Sequence, residues 1–181
     1  MAIGLADSGE GGIPSFQVTN STQSTISATI TVTPSYENNG IICDGNAETF
    51  TITVNPSPEM DNIEDVVLCN NEISSIIEFT TPNTDGNTTY TWTNDNTSIG
   101  LSSTGNGDIP SFTALNLSPI IEVATITVTP TYENNGVVCI GDPQTFSISV
   151  LSEIEITGIT VDALDCNCLL YTSDAADDWS C

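Results

Sequence analysis

The stretch Thr125 to Cys139 reads TITVTPTYENNGVVC, and Thr29 to Cys43 reads TITVTPSYENNGIIC, ninety-six residues earlier. Sliding the chain by 96 positions lays Ile3–Val54 over Ile99–Val150 without a gap, with 28 identities in 52 pairs. Chance does not produce that. Solenoid repeats run to about 20–50 residues and whole domains to about 100, so a period of this length marks tandem small domains. On this ruler residues 1–55 are the second half of one unit, 56–151 a complete unit and 152–167 the start of a third. DVVLCNN around Cys69 returns, one residue out of step, as VDALDCN around Cys166.

The hydrophobic pattern inside the unit has period two. In ATITVTP, Ala124, Ile126 and Val128 face one way and Thr125, Thr127 and Thr129 the other, with Pro130 expected to end the run. In FSISV, Phe146, Ile148 and Val150 alternate with Ser147 and Ser149. Such alternation belongs to half-buried antiparallel strands. Asn39-Gly40 and Asn135-Gly136 supply tight turns between them. The complete unit reads as strands near 63–68, 74–80, 88–93, 98–102, 109–115, 121–129 and 144–150, with no amphipathic helix. Seven short strands in one such unit describe an all-β, immunoglobulin-like antiparallel β-sandwich, with Trp92 in its core. The fold class expected is therefore tandem sandwich repeats of 96 residues, one complete and two truncated.

Composition narrows the partners. The chain holds 24 acidic residues and no Lys, Arg or His, a formal net charge of -24. Nucleic acid and anionic membrane surfaces are bound largely through Lys and Arg, so neither is expected. No run of about 18 apolar residues exists to span a bilayer, and MAIGLADSGEGG at the N-terminus lacks the marks of a signal peptide. Catalysis by a Ser-His-Asp triad, a Cys-His pair or a Schiff-base lysine has no residues to use. Asp7-Ser8-Gly9 resembles an aspartic-protease signature, but the equivalent Ser103-Thr104-Gly105 carries no acid to share a proton. The GEGG at 9–12 and GNGD at 105–108 read as turns, and Glu153 with Glu155 as a solvated strand face. No enzyme is expected. Asn20, Asn87, Asn96 and Asn116 open Asn-x-Ser/Thr triplets at the rate so Asn- and Thr-rich a chain produces by chance.

Several segments together carry a family resemblance: VVLCNNE (66–72), YTWTNDNTSIGL (90–101), IPSFTALN (109–116), ATITVTPTYENNGVVCIGDPQTFSISV (124–150) and the VNPSP joint (54–58). Over residues 1–167 the chain resembles the PKD-like, immunoglobulin-like tandem repeats of very long bacterial surface proteins, notably adhesins and gliding-associated proteins exported by the type IX route. The resemblance implies an extracellular, secreted or cell-surface location and a role as stalk or adhesive module. Residues 168–181 stand apart from the period. From Cys168 to Asp177 they resemble the conceptual translation of a transposase-type sequencing adapter, and the segment is expected to be a non-native tail.

Cysteine usage suits that setting. Cys43 and Cys139 share one repeat position, and Cys69 and Cys166 another. The complete unit thus owns one pair, and a Cys69–Cys139 disulfide is expected, the alternative being two unbridged thiols. Closing a loop of about 70 residues would contribute roughly 4 kcal/mol on the chain-entropy model. No cofactor is expected. The acids of EMDNIED beside the 55–58 joint, above all Asp61, Glu64 and Asp65, are the candidates for a calcium ion stiffening neighbouring units, the plainer reading being a solvated acidic face.

Two roles remain in view. One is a structural spacer whose partners are the neighbouring repeats of the same chain. The other is an adhesive module for carbohydrate or a host or matrix protein. Residues 17–27 and 113–123 differ most between copies and are where tuned binding is expected, whereas YENNG hardly varies. Residues 1–55 lack their first strands, so Ile30, Val32, Phe50 and Ile52 are expected to have no partner sheet.

Overall fold

The computed structural model describes residues 3–153. The third-repeat residues 154–167, with Glu155 and Cys166, and the tail 168–181 lie outside them. The described chain is all-β, with strands β1 (Ile26–Val32), β2 (Ser35–Asn38), β3 (Ile41–Asp44), β4 (Glu48–Val54), β5 (Val66–Cys69), β6 (Asn87–Asn94), β7 (Thr104–Asn106), β8 (Glu122–Asn134), β9 (Val137–Ile140) and β10 (Gln144–Leu151). None of its helices is long and apolar enough to cross a membrane.

One six-stranded sheet dominates, in the order β5-β10-β8-β6-β7, with β9 also on β8. β10 runs antiparallel to β8 and parallel to β5, and β6 runs antiparallel to β8. The alternation seen in the sequence sets its faces. Ala124, Ile126, Val128, Ile148 and Val150 are fully buried, with Phe146, Tyr90 and Trp92 beside them. Phe79, Ile99, Leu101, Ile109 and Ala114 complete the same apolar cluster from outside those strands. Phe79 and Tyr90 meet with ring centroids 5.4 Å apart at 57°, a tilted aromatic pair.

The layer opposite the sheet departs from the expected strands. Segments 71–77 and 109–114 run antiparallel but meet only in isolated bridges, Ile73 to Thr113 and Ile77 to Ile109. Side chains interrupt the ladder: Phe112 N–H donates to Ser74 Oγ (3.0 Å) and Phe79 N–H to Asp108 Oδ1 (2.9 Å). The strand expected at 98–102 is a 3-10 turn, Thr97–Ile99, capped by Asn96 and closed by Gly100 at φ 89°. GNGD, read as a turn, instead starts within β7, which crosses Trp92 at Gly105. A β-carbon on Gly105 would lie 2.2 Å from Trp92 Cζ2, so only glycine lets the strand lie on the indole.

β8 does not stop at Pro130 as expected. Pro130 falls where β8 leaves β10, whose pairing ends at Val128, and takes up β9, whose pairing starts at Thr131. No ladder N–H is called for there, and the Pro130 carbonyl accepts from Gly141 N–H at 2.9 Å. β6 bridges the gap on the other flank, pairing from Asn87 with Glu133 to Asn94 with Ile126.

The 96-residue period is visible as geometry. Strands β1, β2, β3 and β4 coincide in repeat position with the two halves of β8, then β9 and β10. Asn39 and Gly40 have φ 53° and 76°, Asn135 and Gly136 51° and 77°, so both turns carry two positive φ angles in the manner of type I′. Gly4 and Gly100 share φ 89°. Thr19 N–H donates to the Ile3 carbonyl as Leu115 N–H does to Ile99. What differs is the company: no strand flanks β1 or β4, which form a two-stranded sheet of their own. Accordingly Val32 and Phe50 are 46% and 45% exposed where Val128 and Phe146 are 0% and 5%. Ile30, expected to lack cover, is nonetheless buried.

Candidate functional site at the joint between the repeats

The chain passes from β4 into the second copy through Asn55-Pro-Ser-Pro58, and the residues that meet there are mostly short polar side chains and backbone. Asn20 builds one wall. Its amide donates to the carbonyls of Ser24 (2.8 Å) and Val54 (3.0 Å), and its Oδ1 accepts the Thr22 N–H (2.9 Å). The loop 20–24 is thereby tied to the end of β4. That presents Gln23, Thr25 and Asn55 to the opposite wall, the β8–β9 hairpin.

Across the joint, Asn134 Nδ2 donates to Thr25 Oγ1 at 2.9 Å, and the Thr25 hydroxyl lies 3.4 Å from the Tyr132 hydroxyl. Asn55 Nδ2 reaches the carbonyls of Asn134 and Val137, each at 3.5 Å. Thr84 N–H donates to the Gln23 carbonyl at 2.8 Å. Tyr132 is fully buried and donates to the Thr84 carbonyl at 2.8 Å. Its ring lies so close over Gly86 that a β-carbon there would stand 2.4 Å from Cζ. Pro58 covers the root of the hairpin, its carbonyl 2.4 Å from where a Gly141 β-carbon would be. At the same place in the first copy, Pro34, Tyr36, Cys43, Asp44 and Gly45 line an open, shallow recess of about 300 Å³.

The loop that varies most between copies therefore sits in this joint. Gln23 and Thr25 belong to 17–27, where sequence difference pointed to tuned binding, and both contact the next segment. The variation coincides with a contact inside the chain.

The residues weighed for metal and disulfide chemistry are spread over separate elements. Asp61 accepts from Thr80 Oγ1 (2.6 Å), Glu64 from Asn62 Nδ2 (3.2 Å), and Asp65 from Ser147 N–H (2.7 Å). The Ser147 N–H, with the Ser147 hydroxyl behind it, holds the Asp65 carboxyl below its ordinary value. Among the described residues no three Asp, Glu or Cys side chains converge on one point. Asp61, Glu64 and Asp65 are thus not brought together as ligands.

The expected Cys69–Cys139 bridge is corrected by the sheet. Cys139 pairs with Tyr132 at one end of β8, whereas Cys69 pairs with Leu151, one step beyond the Val150–Glu122 pair at the other end. At about 3.3 Å per residue the two stand roughly 35 Å apart along the strands, against a disulfide Cα separation of about 4.4–6.8 Å. They are not bonded to each other. Sharing a repeat says nothing of sharing a pole. Asp7 lies in an exposed loop, and Glu153 accepts from Asn70 Nδ2 at 3.4 Å.

Sequence reasoning missed the joint residues Asn20, Thr25, Thr84 and Asn134. The recurrence of Asn20 as Asn116 within the variable loops was the signal available. No protein-family model matches the chain, and no curated protein matches it.

Proposed function

We infer that this chain is a stretch of a non-catalytic spacer, in which PKD-like, immunoglobulin-like sandwich units are set end to end in a large bacterial cell-surface or secreted protein. The observation that carries this reading is the joint. Thr25, Asn55 and Gln23 of one copy are hydrogen-bonded to Asn134, Val137 and Thr84 of the next, and Tyr132 is buried beside them. A hydrogen-bonded seat between consecutive units restricts their relative motion, as a load-bearing or distance-setting rod requires and a loosely tethered string of binders does not. The proline-bearing link adds stiffness of its own. The absence of Lys, Arg and His agrees with a scaffold role, because the nucleophilic and acid–base pairs of most enzymes need them.

Residual dipolar couplings test it. Amides of 3–55 and 56–151 that fit one alignment tensor support the spacer, and two independent tensors of different magnitude overturn it. Saturable binding on a glycan or matrix-protein array would instead favour the adhesive module.

A further inference from the structure

The end of the 56–151 segment farthest from the joint repeats the joint's construction with a different surface. Asn116 replaces Asn20 and makes the same bonds: Nδ2 donates to the carbonyls of Ile120 and Val150, both at 2.8 Å, and Oδ1 accepts the Ser118 N–H at 2.8 Å. Backbone shape is therefore preserved. Where the joint presents Ser21, Ser24, Thr25 and Asn55, however, this pole presents Leu117, Ile120, Ile121 and Leu151. Leu117, Ile120 and Ile121 are 87%, 69% and 52% exposed.

The complementary element is also in the chain. The β2–β3 hairpin has the turn and repeat position of the β8–β9 hairpin, and Tyr36, Ile41 and Ile42 on it are 70%, 69% and 65% exposed. Its counterparts Tyr132 and Val137 are the residues seated against Thr25 and Asn55.

We propose that the apolar pole at Leu117, Ile120, Ile121 and Leu151 receives the Ser35–Asp44 hairpin of a second copy of this chain, head to tail. The occupant is identified by the internal joint, where a hairpin of this kind sits on a pole of this shape. The joint uses hydrogen bonds between polar side chains; the contact between copies replaces them with Ile121 and Leu151 against Tyr36 and Ile41. Pole and hairpin are different surfaces, so the contact is heterologous and leaves a free pole and a free hairpin at the two ends. Each copy carries a formal charge of -24, so salt strengthens the contact by screening repulsion. The proposal uses the geometry of the joint but not the stalk reading. A rigid joint in a strictly monomeric chain would sink this proposal and leave that reading intact.

The test is sedimentation velocity of the full chain, with reductant present, across a range of concentration and salt. Wild type is expected to form species growing beyond the dimer, more so at higher salt. Ile121→Asp, which spoils the pole, and Ile41→Asp, which spoils the hairpin, are each expected to be monomeric with an unchanged far-ultraviolet circular dichroism spectrum. An equimolar mixture of the two retains one good pole and one good hairpin, and is expected to stop at the dimer. A wild type monomeric throughout, association that survives both substitutions, or a mixture that stays monomeric would each overturn the proposal.

Discussion

The hydroxyl of Tyr132 lies 3.4 Å from that of Thr25, across 107 residues of chain, and at the same time donates to the Thr84 carbonyl at 2.8 Å. Tyr36 holds the same place in the first copy and is 70% exposed. Tyr132→Phe is therefore expected to cost about 1 kcal/mol by orphaning the Thr84 carbonyl. Tyr36→Phe is expected to stay within about 0.5 kcal/mol, as surface changes do. Urea denaturation of both variants checks the contrast.

Gly105 and Gly9 form a second matched pair. The first lies flat on Trp92, and a β-carbon on the second meets nothing within 4 Å. Gly105→Ala is expected to destabilise by about 1–3 kcal/mol through overpacking. Gly9→Ala is expected to be near neutral, within about 0.5 kcal/mol. Thermal melts followed by Trp92 fluorescence would show the difference.

Asn116 is buried and satisfies two carbonyls and one N–H. Asn116→Ala leaves those groups unpaired and is expected to cost about 1–3 kcal/mol. The same change at the half-buried Asn20 is expected to cost less, since water replaces part of the loss. Parallel chemical denaturation ranks the two.

Asp65 gives a pH signature. Its carboxyl titrates below the ordinary 3.8 because Ser147 N–H, and then its hydroxyl, favour the charged form. A depressed folded-state pKa contributes stability above the unfolded value and loses it as pH falls through the folded value. The stability of wild type relative to Asp65→Asn is thus expected to be constant above about pH 5 and to shrink below about pH 4. Denaturation series of both proteins across that range measure it.

With 24 acids and no basic side chain, the folded chain concentrates like charge. Its melting temperature is expected to rise as salt increases from about 0.01 M to 0.15 M, where the Debye length falls from about 30 Å to 8 Å. Melting that drops with salt would contradict this, since it requires attractive pairs to be screened.

Legibility followed the range of the interactions. The strands around Ile126, Val128, Phe146 and Ile148 were plain in the sequence, because a buried face and a wet face impose period two on neighbouring residues. So were the Asn-Gly turns, which need positive φ. Segments 74–80 and 109–115 read as strands for the same reason, yet Ser74 and Asp108 take the amide bonds that a ladder would use. Alternation reports burial and is silent about which atom accepts each N–H.

By itself the sequence determined the 96-residue period, the all-β class, the core facing of Trp92 and the lack of cationic chemistry, because each depends on residue type and local spacing. Tertiary structure alone decided that Pro130 lies inside one continuous strand, that Cys69 and Cys139 belong to opposite poles, and that the variable loop meets the next copy. Those depend on which strands lie side by side. Tyr36 and Tyr132 show why: local sequence is nearly the same at both, and only the neighbouring chain makes one buried and the other bare.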